Sequence, residues 1–270
     1  MLLVLLLQAC DRKPDQRIQN GTHQYQHAGR DATCPQPPPG EHAGRWDDLT
    51  FASGLRYNLR GPANYDARVR HPLIVVFAGA THNAARSEQF TALTPAATAR
   101  GYLIAYLQSR RLSARHLKRA NEIVDSIVAG WCVDTNRIFF TGHSDGGTTT
   151  VAQTFLTELK WRPRAIAPSA AGFSAEALSE IDCGIPTPTM VLGMRDDELF
   201  PGYAASLAQW SARCHQCGSA TNASDNGCQI YQSCSVSTVF CEVPGQHRQW
   251  PQKNREILDF FDQSHGDEHL

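Results

Sequence analysis

The segment Thr141-Gly142-His143-Ser144-Asp145-Gly146-Gly147 sets a serine between glycines. It follows the apolar run Arg137-Ile-Phe-Phe and opens a stretch of helical pattern, the setting of a strand-to-helix turn that lifts a serine hydroxyl above a sheet edge. A serine hydroxyl is a weak nucleophile at neutral pH, so it needs a base, and the base needs an orienting acid. Both occur at the ends of later apolar runs. Thr189-Met-Val-Leu-Gly193 leads into Met194-Arg-Asp196-Asp-Glu198, and Ser237-Thr-Val-Phe-Cys241 leads into Pro244-Gly-Gln-His247. The order serine, acid, histidine, with about fifty residues between successive members, leaves room for a helical crossover each time. Ser144 is therefore the expected nucleophile, His247 the base and Asp196 the acid. An oxyanion forming at Ser144 needs two backbone N–H donors set in advance. Asp145, directly after the serine, supplies one. Ala80, in the loop Ala78-Gly79-Ala80-Thr81-His82, is the expected second. His82, His143 and Trp250 are the candidate substrate contacts, against packing roles in an exposed loop, at a helix start and along the wall of the histidine loop.

The positions of these groups depend on the elements between them. Leu55-Arg-Tyr-Asn-Leu-Arg60 alternates as a half-exposed strand does, whereas Leu73-Ile-Val-Val-Phe-Ala78 is continuously apolar, as in a strand buried on both faces. Leu103–Leu107, Arg137–Thr141, Thr189–Gly193 and Ser237–Cys241 repeat that second signature. Helical patterns fall at about 86–100, 119–130, 146–160, 203–213 and 253–263. Alternating strands and helices predict an α/β domain, a mostly parallel sheet with helices on both faces. Residues 214–236 are rich in Cys, Ser, Asn and Gly, have no apolar period, and read as a disulfide-stapled excursion beside the last strand. The expected organisation is a signal-like segment at 1–10, a polar, proline-rich tether at 11–45 and a catalytic domain at 46–264.

Composition narrows the function. With 25 basic and 26 acidic residues among 270, no general attraction to nucleic acid is expected, and 41% hydrophobic residues supply a substantial core. Nine cysteines point to an oxidising compartment. Cys214-x-x-Cys217 has a metal-like spacing, but no second such pair follows, so no metal site is expected. The apolar Met1–Leu7 followed by Gln-Ala-Cys10 resembles a bacterial lipoprotein signal, which makes Cys10 the candidate lipidated residue and membrane attachment through it an expectation. The remaining eight cysteines could form four disulfides, with Cys34–Cys132 a candidate pair. His215, His265 and His269 lie in irregular or terminal stretches and are expected to be solvated.

Longer motifs carry a family resemblance over roughly residues 53–262. Arg56-Tyr-Asn-Leu-Arg-Gly-Pro62-Ala-Asn-Tyr65-Asp66, Pro72-Leu-Ile-Val-Val-Phe-Ala-Gly79 and, above all, Cys132-Val-Asp134-Thr-Asn-Arg137-Ile-Phe-Phe-Thr-Gly142-His-Ser144-Asp-Gly-Gly147 resemble the secreted serine esterases that include feruloyl esterases, acetylxylan esterases and poly(3-hydroxybutyrate) depolymerases. Gly193-Met-Arg-Asp196-Asp and Pro244-Gly-Gln-His247-Arg-Gln-Trp250-Pro251 resemble that family's acid and histidine loops. The resemblance implies an α/β-hydrolase fold with Ser144, Asp196 and His247 as triad, an acyl-enzyme route to ester hydrolysis, and no metal or organic cofactor. A monomeric, secreted or envelope-attached esterase acting on small or oligomeric esters is the expectation. Two rivals are another acyl hydrolase on this fold, such as a peptidase, and a non-catalytic envelope binding protein.

Overall fold

The structure is a computed structural model and describes residues 21–26, 34–35, 44–51, 54–218, 220–223 and 227–264. Cys10, the segment around it, His265 and His269 lie outside the described residues. In chain order the elements are β1 (Arg45–Thr50), β2 (Arg56–Arg60), β3 (His71–Phe77), α1 (Ala84–Thr91), α2 (Thr94–Ala99), β4 (Leu103–Leu107), α3 (Ala114–Gly130), β5 (Val133–His143), α4 (Asp145–Ala152), β6 (Ala165–Ser169), α5 (Ala175–Ser179), β7 (Thr189–Met194), α6 (Tyr203–Cys214), β8 (Ala220–Ala223), β9 (Cys228–Tyr231), β10 (Thr238–Val243) and α7 (Asn254–Gln263).

The ten strands among the described residues join one sheet in the order β1-β2-β4-β3-β5-β6-β7-β10-β9-β8. The six from β4 to β10 run parallel. Antiparallel pairs close both ends. The continuous apolar runs follow from this position, because successive side chains of a central strand enter opposite cores. On β3, Val75 and Phe77 face the layer holding Ile123, Val124 and Ile127 of α3 and Leu207 and Trp210 of α6. Ile74 and Val76 face the layer holding Ala97 of α2 and Ile257, Leu258 and Phe261 of α7.

Three departures from the sequence pattern have local causes. The helix expected over 86–100 is two helices, because Ala92 turns left-handed (φ 48°) and Pro95 begins a new helix in its first turn. The α-helix expected over 146–160 stops at Ala152 and tightens into a single 3-10 turn over Gln153–Phe155. Thr148, Thr149 and Thr150 bond their hydroxyls to the carbonyls of Ser144, Asp145 and Gly146, a side-chain competition that weakens helix continuation. β6 carries no strand signature of its own, since Pro168 interrupts a five-residue run and a proline ordinarily marks a strand edge.

Parts of the expected tether lie against the domain. The His23 amide donates to Thr98 Oγ1 and its carbonyl accepts from Ala63, while Tyr25 and Asn64 exchange two hydrogen bonds. Cys34 is bonded to Cys132 at the start of β5. The other disulfides, Cys183–Cys214, Cys217–Cys234 and Cys228–Cys241, staple the β8–β9 excursion and its surroundings. Cys214 and Cys217 therefore belong to different bridges. No helix among the described residues is long and apolar enough to cross a membrane.

One buried charge ties this frame together. Arg60, 1% exposed, makes a two-pronged pair with Glu88 of α1 (2.9 and 2.8 Å), and Thr94 Oγ also donates to that carboxylate. Removing one member of such a pair strands the other in a low-dielectric interior. Glu88→Ala is therefore expected to lower unfolding free energy by about 3–5 kcal/mol, read as a shift in denaturant midpoint. A loss below about 1 kcal/mol would show that Trp46 O, Leu59 O and Asp47, its other acceptors, suffice for Arg60.

Candidate active site

β5 ends at His143 and α4 begins at Asp145, so Ser144 is the single residue of the turn between them. Its backbone sits at φ 57°, ψ −122°, a region L-residues rarely occupy and one whose strain is found where function demands it. The glycines explain how so sharp a turn packs. A Cβ on Gly146 would lie 2.1 Å from the Phe77 carbonyl oxygen of β3, and one on Gly142 would lie 2.6 Å from Gly146. The helix can approach the sheet only without those carbons. The Ser144 amide donates to Ser169 O (2.9 Å) at the end of β6, which fixes the turn from the neighbouring strand.

His247, on the loop after β10, places Nε2 2.9 Å from Ser144 Oγ. Its Nδ1 faces the carboxylate of Asp197, 2.8 Å from Oδ2 and 3.0 Å from Oδ1. An ionised carboxylate only accepts, so Nδ1 carries the ring proton and Nε2 turns its lone pair to the serine. Asp197, not the expected Asp196, thus holds the histidine. The reason is the turn after β7. The Asp196 amide bonds to Gly245 O and its side chain is exposed, whereas Asp197 points inward, is 7% exposed, and accepts from the amides of Leu199 and Phe200. Glu198 accepts from the His247 amide at 3.1 Å and so steadies the same loop from its backbone. Hydrogen bonds to its carboxylate, from its own backbone and from His247, hold Glu198 below the usual carboxylate range. The Phe200 ring meets the His247 ring edge-on, with centroids 4.8 Å apart.

Of the expected substrate contacts, His143 lines the Ser144 cleft and also bonds to the loop of His247, whereas Trp250 packs beneath that loop. His143 Nε2 lies 2.6 Å from the His247 carbonyl, which can only accept, and Nδ1 lies 2.9 Å from Ser169 Oγ. His143 is 6% exposed, and its ring lies at one end of the Ser144 cleft. Trp250 is 3% exposed, donates to Asn254 Oδ1, and packs against His143 and Phe90 without lining that cleft. Trp250 is buried because the loop after His247 turns back onto the layer of α7.

Above Ser144 lies a cleft of about 460 Å³. Gly79, Ala80, Thr81 and His82 form one wall, with Phe90, Leu199, Arg86 and Arg248 around it. Ala80 lines the cleft with Ser144, and Asp145 follows the serine as the first residue of α4. The Asp145 amide is the first of a helix and so has no acceptor within that helix. His82 is half-buried at the cleft wall, and burial followed by the nearby Arg86 charge lowers its pKa. Phe90, Leu199, Arg86 and Arg248 were not legible as cleft residues. Arg86 and Phe90 sit on a helix with no motif around them, and although Arg248 and Leu199 adjoin the histidine and acid loops, only chain folding gathers the four.

Among the described residues, no group of three or more His, Cys, Asp and Glu is placed to hold a metal. His215, expected to be solvated, is 5% exposed and bonds Nδ1 to Thr238 Oγ1 at 2.7 Å. The C-terminus of α6 packs it against β10. Burial pushes both His143 and His215 down to about 4. In the unfolded chain each titrates near 6.5. Their neutral forms are thus favoured on folding: the full contribution is present above about pH 6.5 and is lost as pH falls toward 4. Urea unfolding at pH 7 and pH 4.5 is expected to show a loss of several kcal/mol, and His215→Gln should make that slope shallower. An unchanged slope in the variant would remove His215 from the account.

The sheet order and the serine elbow define an α/β-hydrolase fold. No protein-family model and no curated protein sequence matches the chain. Solved structures do. An acetyl xylan esterase from Aspergillus awamori superposes with a TM-score of 0.60 at 12% identity, covering 81% of this chain and 98% of its own. A truncated carbohydrate esterase from gut microbiota gives 0.57 at 13% identity, covering 85% and 99%. The S-formylglutathione hydrolase FrmB from Staphylococcus aureus gives 0.57 at 12%, covering 78% and 93%. At these identities the likeness is one of fold.

Proposed function

We propose that the protein is a serine hydrolase of carboxylic esters, working outside the cytoplasm. The observation that carries this reading is the line from Asp197 through His247 to Ser144, with 2.8 and 2.9 Å between successive partners. His247 Nε2 takes the Ser144 proton as Oγ bonds to the ester carbonyl carbon. The amides of Ala80 and Asp145 receive the oxyanion, and Asp197 stabilises the imidazolium. The tetrahedral adduct collapses, the imidazolium proton passes to the departing alkoxide, and the acyl group remains on Ser144. A water molecule then gives its proton to His247, attacks the acyl carbon, and the acid leaves as Ser144 regains its proton. Four disulfides support an oxidising compartment. Attachment through a lipidated Cys10 belongs to the same proposal. So does the finer assignment to feruloyl-ester or polyhydroxybutyrate substrates, which rests on the motif resemblance and on esterase neighbours of the same fold.

The test is covalent and then chemical. A fluorophosphonate probe is expected to label one peptide, that containing Ser144, and the oxidised protein is expected to hydrolyse methyl ferulate or a 3-hydroxybutyrate trimer. Folded protein that neither labels nor turns over any simple ester would support a binding role instead.

A further inference from the structure

The Ser144 cleft carries more positive charge than the hydrolysis of a neutral ester requires. Arg86 of α1 and Arg248, the residue after His247, both line it, and both side chains are exposed. Arg86 uses its backbone amide to bond the Asn83 cap, but neither guanidinium has an ion-pair or hydrogen-bond partner among the described residues. Arg60, Arg68, Arg100 and Arg137 each meet a carboxylate within 3.0 Å. No acidic residue is among those lining the cleft. Asp197 lies beneath His247, and Glu198 is engaged by the His247 amide.

Two exposed guanidiniums that line one partly apolar cleft offer forked donors of the kind that suits a planar anion. A carboxylate matches the fork of N–H donors, and the cleft walls focus the field that attracts it. Leu199, 56% exposed, and Phe90 add apolar surface beside the charges. We infer that the preferred substrate is an ester bearing a free carboxylate, recognised by Arg86 and Arg248 while Ser144 attacks the ester carbonyl. The inference rests on the proposed esterase reading and adds a substrate class to it.

The carboxylate can sit on either side of the scissile bond, and matched probe pairs separate the two. For the alcohol side the pair is 4-acetoxybenzoate against 4-acetoxybenzamide; for the acyl side, the mono-4-nitrophenyl ester of succinic acid against 4-nitrophenyl valerate. In one of these pairs the charged ester is expected to have about tenfold or more higher kcat/KM, carried by a lower KM, and added salt should shrink the advantage. In Arg86→Gln and Arg248→Gln the charged-to-neutral ratio should fall toward one, and the lysine replacements should restore part of it. Calorimetric binding of the same pairs to Ser144→Ala protein reads recognition without turnover. Charged and neutral members binding equally, or neither binding, overturns the inference. Hydrolysis of all four probes with a ratio near one also overturns it while leaving the esterase reading intact. Tight binding of a charged member by protein that hydrolyses nothing supports the recognition site and sinks the esterase reading.

Discussion

Asp197→Asn is expected to reduce kcat by about 10⁴-fold, whereas Asp196→Asn should change it by less than about threefold. The asparagine keeps the shape of the side chain but can present an N–H to His247 Nδ1. The imidazole then favours the tautomer with its proton on Nε2, and the lone pair that must accept the Ser144 proton is gone. Asp197 also accepts from the Leu199 and Phe200 amides, so its position should survive the substitution even as its charge is lost. Asp196 has no such connection, since its side chain is exposed and only its backbone amide is engaged. Initial rates on one activated ester, measured for both variants at pH 7–8, decide the matter. The opposite ranking would return the acid to position 196 and require the loop after β7 to turn differently.

Ser144→Ala should have a larger effect, about 10⁶-fold on kcat, with the residue of activity coming from oxyanion donors and binding alone. Groups that act as one unit are not additive. Ser144→Ala combined with His247→Ala is therefore expected to be no slower than Ser144→Ala by itself. A double variant slower by a further hundredfold would mean that His247 acts on water independently of Ser144. The alanine should leave the fold intact, because Ser144 Oγ has its contact with His247 and the turn is held by backbone bonds to Ser169 and Thr148. Ser144→Gly should relieve the strain of φ 57° and raise thermal stability while abolishing activity, a contrast that isolates the strain from the chemistry.

Much of this molecule was legible before folding was considered. Central strands of a doubly covered sheet must be apolar at every position, and β3, β4 and β7 show that run in the chain itself. The elbow was legible for a similar reason. A serine on so tight a turn needs neighbours without Cβ atoms, so Gly142 and Gly146 mark it in the sequence. The break at Ala92, the early end of α4 and the strand through Pro168 were not legible. The first comes from a left-handed residue and a helix-starting proline, the second from threonine side-chain bonds, and the third from pairing with neighbouring strands, none of which the apolar period encodes.

The amino-acid sequence alone determined the alternating α/β pattern, the serine turn and the identity of the histidine, because each rests on local periodicity or local backbone sterics. Tertiary structure alone decided which carboxylate meets His247 and which residues line the cleft. Asp196, Asp197 and Glu198 are chemically near-equivalent neighbours, and only the rotation of the turn between β7 and α6 sends Asp197 inward to His247. Trp250 lies away from the cleft and His143, while lining it, also bonds to the His247 carbonyl, because the loop after β10 folds back over both. Arg86 and Arg248, about 160 residues apart along the chain, meet at one cleft only because α1 and that loop flank the same end of the parallel strands, where strand carboxyl ends open a crevice that the connecting loops must line.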